Sequence, residues 1–453
     1  MPIFFLFSFT NFYFIHMSDP QIGSVPEATT NLAQAVDQIN QMAPLAHFVI
    51  VAGDLGNASA DSDTVILYSQ WMVCDSLLDN LTMPVYVVPG NHDIREPVRS
   101  YRQAFYRNFW GMDYYSFNQD SCHFLALNSC LLDTYSPIAL PQDSFIRADL
   151  DSIQSQKYYH KFYLFHYPLY LSSPTEPDSG VNVNQPRRDT ILNDLVAYDF
   201  SGVWTGHLHE ELTNLYGPAM LVTGTATSMM VNPEDCGYRV VKVFENGIET
   251  FPVAVLYPED TLPLNKIVMV LASPETVQVS QPVNFTAQVD TLNYPAWHGL
   301  SYRWLFGDGD SSNIASPTHT YSDTGHFSVL FTAVRTPHLA ALYRLNILVL
   351  DGSHISEEAI ASDNQFHVRI FSIQYNNIEL EIFMDKTSTE SAHRAVKVTL
   401  YDVSGRVAIG PVNKGLTPGL NRIRLAKAMP VGVYFYRIEI DESNTTGKCV
   451  LIR

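Results

Sequence analysis

Five short clusters in the first half of the chain hold donor side chains in a fixed order: Asp19-Pro20-Gln21, Gly53-Asp54, Gly90-Asn91-His92-Asp93, His166 and Gly206-His207-Leu208-His209. Carboxylate, amide and imidazole are the groups that hard divalent and trivalent cations prefer, and two such cations need about eight donor positions between them. The clusters supply close to that number. A carboxylate at Asp54 could bridge two cations, with Asp19, Gln21 and His209 completing one site and Asn91, His166 and His207 the other. Cations held in this way polarise bonds to oxygen and activate water.

Donors so far apart in sequence must be brought together by regular elements. Each cluster follows an apolar, β-branched or aromatic run that reads as a buried strand: Phe12 to His16, His47 to Ala52, Val85 to Val88, Phe162 to Phe165 and Gly202 to Trp204. In open α/β sheets the ligand crevice lies beyond the carboxyl ends of the strands, so strands that all deliver donors there can build one cluster. Gly53, Gly90 and Gly206 sit beside the donors, as expected of turns that need a positive φ or a close backbone approach.

The ordered clusters resemble the calcineurin-like metallophosphoesterase superfamily, whose pattern is D-x-H, G-D, G-N-H-D/E, a lone His and G-H-x-H. The resemblance spans roughly residues 12 to 255 and departs from the pattern at Gln21, where the family usually carries a metal-binding histidine. A subgroup with D-P-Q or D-T-Q looks similar. The resemblance implies an α/β metallophosphoesterase fold, a β-sandwich flanked by helices. It also implies two divalent or trivalent metal ions, manganese, iron or zinc, and hydrolysis of a phosphomonoester or phosphodiester by metal-activated water. By the same resemblance His92 would be the acid or charge stabiliser at the leaving oxygen, with Asp93 orienting its imidazole. The metal-binding tyrosine of purple acid phosphatases would fall at Asn57, which sets this chain apart from them.

Other polar residues near the clusters have plainer readings. His47, His123 and His160 are expected to be core or surface histidines. Arg95 and Arg102 could neutralise a substrate phosphate, but the preferred expectation is solvated helix residues. Asn128 and Ser129 end the run His123 to Leu127 in what a simple polar turn explains. The segment Ser172 to Arg188, rich in Pro, Ser, Asp and Asn, directly follows His166 and either reaches across the site to govern specificity or is an ordinary surface loop.

Past residue 255 the pattern changes to short alternating strands, placing a boundary near Tyr257 to Pro263 and domains at about 12–257, 263–351 and 365–453. Alternation puts Tyr302, Trp304 and Phe306 on one face, with Gly307-Asp308-Gly309 as the turn beyond. With Pro317-Thr318-His319-Thr320-Tyr321 this W-x-F-G-D-G pattern resembles a PKD domain, an immunoglobulin-like sandwich that could hold a glycan or protein. Asp308 and Asp310 read as turn residues, not calcium ligands. The last stretch, with Val396 to Arg406, Gly419-Leu420-Asn421 and Pro430 to Tyr436, resembles the sorting domain of type IX secretion more closely in its second half than its first. Another immunoglobulin-like module is the alternative. The expected fold class is thus the α/β domain followed by two all-β immunoglobulin-like sandwiches.

A sorting domain implies an export signal upstream and a place on the surface of, or outside, a Gram-negative bacterium. The apolar residues 1–11 are either the remnant of such a signal or an extra edge strand. No stretch reaches the roughly 20 apolar residues of a transmembrane span. A formal net charge of −19 over 453 residues, with no Lys/Arg cluster, argues against a protein that coats nucleic acid. Five cysteines without C-x-x-C spacing define no disulfide framework. An alternative of another class is a non-catalytic surface binding protein that uses a degenerate phosphoesterase scaffold and its PKD-like domain. Substitution at Gln21 is what favours it.

Overall fold

The computed structural model describes residues 9–42, 45–58, 64–95, 97–132, 137–154, 156, 158–228, 236–255, 268–289, 299–336, 339–350, 366–374, 377–384, 394–402, 405–416, 419–425, 432–440 and 443–451. The expected boundary near Tyr257 to Pro263, and residues 1–8 of the apolar N-terminal stretch, lie outside the described residues.

Two sheets form the first layer pair. In one, strands Phe12–Met17, Phe48–Ala52 and Val85–Val88 run parallel, and Phe12–Met17 pairs on its other side with Gly237–Phe244, which turns back into Gly247–Ala254. In the other, Cys122–Ala126, His160–Leu164, Gly202–Thr205 and Ala219–Thr223 are parallel, with antiparallel edges at Tyr115–Gln119 and Leu212–Tyr216. Parallel neighbours need a crossover, and the helices Ala28–Gln41 and Thr64–Leu78 supply it in the first sheet, Leu140–Gln154 and Arg187–Ala197 in the second.

Period-two alternation decides which side chain goes where. Phe12, Phe14, Phe48 and Ile50 of the first sheet meet Phe124, Phe162, Trp204 and Val222 of the second in one aromatic-rich cluster. Phe14 stacks on Phe48 at 5.0 Å and meets Phe124 and Trp204 edge-on at 5.6 and 5.5 Å. The alternate residues Ile15, Met17, Val49 and Val51 face the helices, where Leu32, Ala35, Val36 and Ile39 form the buried stripe of Ala28–Gln41. Trp71 is fully buried in Thr64–Leu78 and stacks on Phe105 of Ser100–Trp110 at 5.1 Å.

One sheet is shared by strands from both sides of residues 256–267. Strand Leu339–Leu350 pairs on one side with Gly325–Arg335 and on the other with Gly247–Ala254, in register Gly247↔Tyr343 to Thr250↔Ala340. The first sheet therefore continues into the second half of residues 1–349 and reaches ten strands. Carboxylate Glu249, fully buried in this seam, accepts from Val268 N at 2.8 Å, Tyr343 Oη at 2.5 Å and Lys242 Nζ at 3.4 Å. Burial pulls Lys242 down to about 8 against the opposing pull of Glu249.

Opposite this extension lies a three-stranded sheet of Val268–Ser273, Pro282–Val289 and Thr318–Thr320. Trp304 is buried between Phe285 (5.2 Å) and Phe331 (4.5 Å), and Phe306 stacks on His319 at 4.1 Å. Tyr302 is only half-buried at the edge of that face. Gly307 and Gly309 have φ of 88° and 103°, and Asp308 accepts from Asp310 N and pairs with His319 Nε2 at 2.7 Å, as a closed turn requires.

Residues 350–453 form a separate unit with two antiparallel sheets, one of Phe366–Gln374, Asn377–Met384 and Gly419–Leu425, the other of Val407–Leu416, Arg394–Asp402, Gly432–Ile440 and Ser443–Leu451. Among the described residues the thiols of Cys74, Cys122, Cys130 and Cys236 are buried, and no helix is long and apolar enough to cross a membrane.

Candidate metal centre

All nine candidate site residues sit just past the carboxyl end of a strand, three clusters from the first sheet and two from the second. Five of them, Asp19, Gln21, Asp54, His207 and His209, have φ between 38° and 73°, a region that side chains other than glycine seldom occupy. Such strain persists where surrounding structure over-determines it, and it concentrates at functional sites. Here the backbone is pinned by Asp19 N to Gly53 O (3.1 Å), Gln21 N to Asp54 O (2.8 Å) and Gly206 N to His166 O (2.9 Å).

Glycine is required by contact as much as by φ. A Cβ on Gly90 would lie 2.1 Å from Asp54 Oδ1, and one on Gly206 would lie 1.6 Å from Ser18 Oγ and 2.5 Å from Asp19 Oδ2. Gly206→Ala is therefore expected to push Asp19 aside, costing about 1–3 kcal/mol of stability. Thermal melts together with cation content of the purified variant check both effects.

The donor atoms converge. Asp54 Oδ2 lies 3.4 Å from His166 Nε2 and 3.1 Å from Gln21 Nε2; His166 Nε2 lies 3.2 Å from His207 Nδ1 and 3.1 Å from Asn91 Oδ1. On the other side His209 Nε2 lies 3.3 Å from Asp19 Oδ1 and 3.2 Å from the Gln21 amide. Asp54, His166 and His207 bring ligand atoms within 4.8 Å of one another. Asp54 thus stands between an Asn91-His166-His207 group and an Asp19-Gln21-His209 group.

The residues fit metal cations on two further observations. His166 Nδ1 donates to Ala52 O at 2.7 Å, so that the neutral imidazole would offer Nε2 to the cluster, the arrangement that orients a ligating imidazole. Gln21 is 2 % exposed and its Oε1 is buried without a hydrogen-bond partner among the described residues, while its Nε2 faces the other donors. Rotating the amide by half a turn exchanges the two atoms and offers the oxygen to the cluster.

Electrostatics agree. Burial alone would lower His166, but Asp54 and Asp19 outweigh it and raise it to about 10. Burial and the His166 charge push His207 down to about 4, and Asp19 raises His209 against its burial. Burial would raise Asp54 and Asp19, yet the histidines hold both below the usual carboxylate range. Two buried carboxylates among these imidazoles thus favour positive charge beside them.

His92 and Asp93 part company. The His92 side chain is 30 % exposed at the edge of the cluster, with Nε2 3.9 Å from Asp54 Oδ2 and its backbone N–H on Asp54 Oδ1 at 2.8 Å. Asp93 does not orient that imidazole: His92 Nδ1 has no hydrogen-bond partner among the described residues. Asp93 is instead fully buried and accepts from Leu55 N, Gly56 N, Gly90 N and Trp71 Nε1, the last at 2.9 Å. It ties the Gly53 and Gly90 turns together, and burial beside Asp54 raises it to about 6.

Sequence reasoning missed other supports. Ser129, read as a turn residue, accepts the N–H groups of His166 (3.3 Å) and Tyr167 (3.1 Å). Arg102, read as solvated, is fully buried. The 172–188 segment does reach the cluster, for Gly180 O accepts from His207 Nε2 at 3.3 Å. His47 takes Tyr13 N at 3.5 Å, and His123 and His160 bond to Asp149 and to Phe244 O, all away from the centre.

Two family models match the chain. Residues 12–211 match the model of the calcineurin-like phosphoesterase family and residues 267–336 that of the PKD domain. The serine/threonine-protein phosphatase CPPED1 of Rattus norvegicus is 27% identical over 255 residues, covering 51% of this chain and 80% of that protein, and the Bos taurus protein is 29% identical over 255 residues with the same coverage. A dimetal phosphatase from Danio rerio overlays with a TM-score of 0.43 at 13% identity, covering 54% of this chain and 96% of that one.

Proposed function

We propose, from the premise that the chain is a hydrolase acting on phosphoester bonds through a calcineurin-like phosphoesterase domain, that it hydrolyses a phosphomonoester or phosphodiester with two cations held at the strand ends. The observation that carries this reading is the position of Asp54 between the two donor groups, with Gln21 in the place of the usual histidine. Asp54, Asn91, His166 and His207 would hold one cation, and Asp54, Asp19, Gln21 and His209 the other. When bound, manganese, iron or zinc ions would polarise the phosphoryl oxygens and acidify the attacking water.

The chain's own side chains do the rest. Asp54 and Asp19 supply the negative charge that concentrates cations in a buried pocket, and the Ala52 carbonyl keeps His166 in its ligating tautomer. His92 Nε2, at the exposed edge, would donate a proton to the leaving oxygen or stabilise its charge. His92→Ala is expected to keep both cations and lose about 10²–10⁴ in turnover. Loss of cations from this variant, measured by mass spectrometry, would move His92 out of that role.

Substrate class is tested by comparing a chromogenic monoester, a chromogenic diester and a phosphoserine peptide with each added cation. The identity of the relatives as serine/threonine-protein phosphatases makes the peptide a necessary arm. The proposed location rests on the C-terminal pattern. The chain is proposed to leave a Gram-negative cell through the type IX machinery, with residues 365–453 removed on the way. Intact C-terminal residues in protein recovered from the medium would overturn this. A glycan or protein partner for the PKD domain remains part of the same proposal, tested by glycan-array binding.

A further inference from the structure

Between His166 and the helix Arg187–Ala197 the chain folds around a single carboxylate. Glu176 Oε1 accepts from Leu171 N at 2.8 Å and Asn182 Nδ2 at 2.7 Å, and Oε2 from Ser172 N at 2.9 Å, Ser172 Oγ at 3.0 Å and Ser173 N at 3.2 Å. Each of these donors belongs to the loop itself. Arg188, fully buried, closes the base by donating to the carbonyls of Val183 (2.8 Å), Pro174 (3.2 Å) and Glu176 (2.7 Å).

The tip of the loop is fixed by the same network. Asn182 is 1 % exposed; its Nδ2 reaches Glu176 and Pro177 O, while its Oδ1 accepts Ser179 N at 3.0 Å. Gly180 lies inside this closed turn, and its carbonyl is the group that accepts from His207 Nε2 at 3.3 Å. A proton on Nε2 leaves Nδ1 as the free lone pair of His207, and Nδ1 is the atom that faces the cluster, 3.2 Å from His166 Nε2. An imidazole free to change tautomer or rotate would present the wrong nitrogen for part of the time.

We propose that Glu176 is a positioning residue: by holding the 171–182 loop closed it keeps the Gly180 carbonyl on His207 Nε2 and so fixes the nitrogen that His207 offers to its cation. The inference rests on the reading of His207 as a metal ligand. It assigns to a residue that touches neither substrate nor cation a specific influence on the Asn91-His166-His207 site, and none on the Asp19-Gln21-His209 site beyond the shared Asp54. Second-sphere partners of this kind are worth about 10–100-fold in metal affinity.

Titration of the cation-free full-length protein with Zn²⁺, followed calorimetrically, tests it with Glu176→Ala and with the milder Asn182→Ala. The expected result is one affinity lowered about 10–100-fold while the other is unchanged, with the ¹⁵N shifts of the His207 ring moving from the single Nε2–H tautomer toward a mixture. Two wild-type affinities and an unchanged His207 tautomer in both variants would overturn the positioning role while leaving the metal centre intact. Should Glu176→Ala fail to fold, Asn182→Ala carries the same comparison, because it leaves the four donors from Leu171, Ser172 and Ser173 in place. A wild-type protein that binds no Zn²⁺, Mn²⁺ or Fe²⁺ would instead sink the metal reading itself.

Discussion

Asp54→Asn is expected to lose cation and turnover together, with hydrolysis down at least about a thousandfold, equivalent to about 4 kcal/mol of transition-state stabilisation. Asparagine keeps the shape of the residue and its acceptor oxygen, so the backbone N–H of His92 retains a partner at the Oδ1 position. What disappears is the negative charge between the two donor groups. A carboxylate can face a cation on each side, whereas an amide offers one oxygen and turns N–H bonds toward the other. Both sites should weaken, and cation content by mass spectrometry beside a chromogenic assay reads this directly. A variant with full activity would remove Asp54 from the centre of the mechanism.

Glu249→Ala carries the second large effect, at a point away from the candidate metal centre. Its carboxylate holds Lys242 of the same sheet, Val268 N and Tyr343 Oη, so truncation strips a buried ammonium of this carboxylate and two further donors of their acceptor. Breaking a buried pair from one side costs about 3–5 kcal/mol. A fall in Tm of the order of 10 °C follows, at about 2–4 °C per kcal/mol for a chain of this kind. Because Leu339–Leu350 is hydrogen-bonded into the sheet that carries the Asp19, Asp54 and Asn91 clusters, calorimetry should show residues 12–349 melting in one transition in both proteins. Glu249→Gln keeps an acceptor for Tyr343 and Val268 and should lose less. Two well-separated transitions in the wild type would contradict a shared core.

The donor set was legible because its signals are local. A strand-ending apolar run, a glycine that the turn cannot do without and a donor of fixed type stand within a few residues of each other at Gly53-Asp54, Gly90-Asn91 and Gly206-His207. The PKD-like half was read for the same reason, from Trp304, Phe306 and the Gly307-Asp308-Gly309 turn. What escaped depends on contacts between distant segments. Asp93 looked like a partner of its neighbour His92, yet Trp71 and the Gly53 turn sit closer to its oxygens in space. Arg102 carries the composition of a surface helix position, and only packing makes it buried. The joining of Gly247–Ala254 to Leu339–Leu350 leaves a fainter trace: Lys242 and Glu249 stand opposite one another in Gly237–Phe244 and Gly247–Ala254, charges that burial tolerates when paired.

The continuity of the ten-stranded sheet also bears on how copies of this protein meet one another at high concentration. An unpaired strand is a template on which a second chain can grow a sheet, and long apolar edges are the sites where aggregation begins. Gly247–Ala254 would be such an edge, eight residues long with six of them buried, but its first half, Gly247 to Thr250, is paired with Leu339–Leu350. By handing the edge on through Leu339–Leu350, Gly325–Arg335 and Ser301–Leu305, the chain ends the sheet at Ser311–Ser312, two serines wide, and at the four-residue Val85–Val88 on the far side. The sheet is long, and among the described residues its two outermost strands are short.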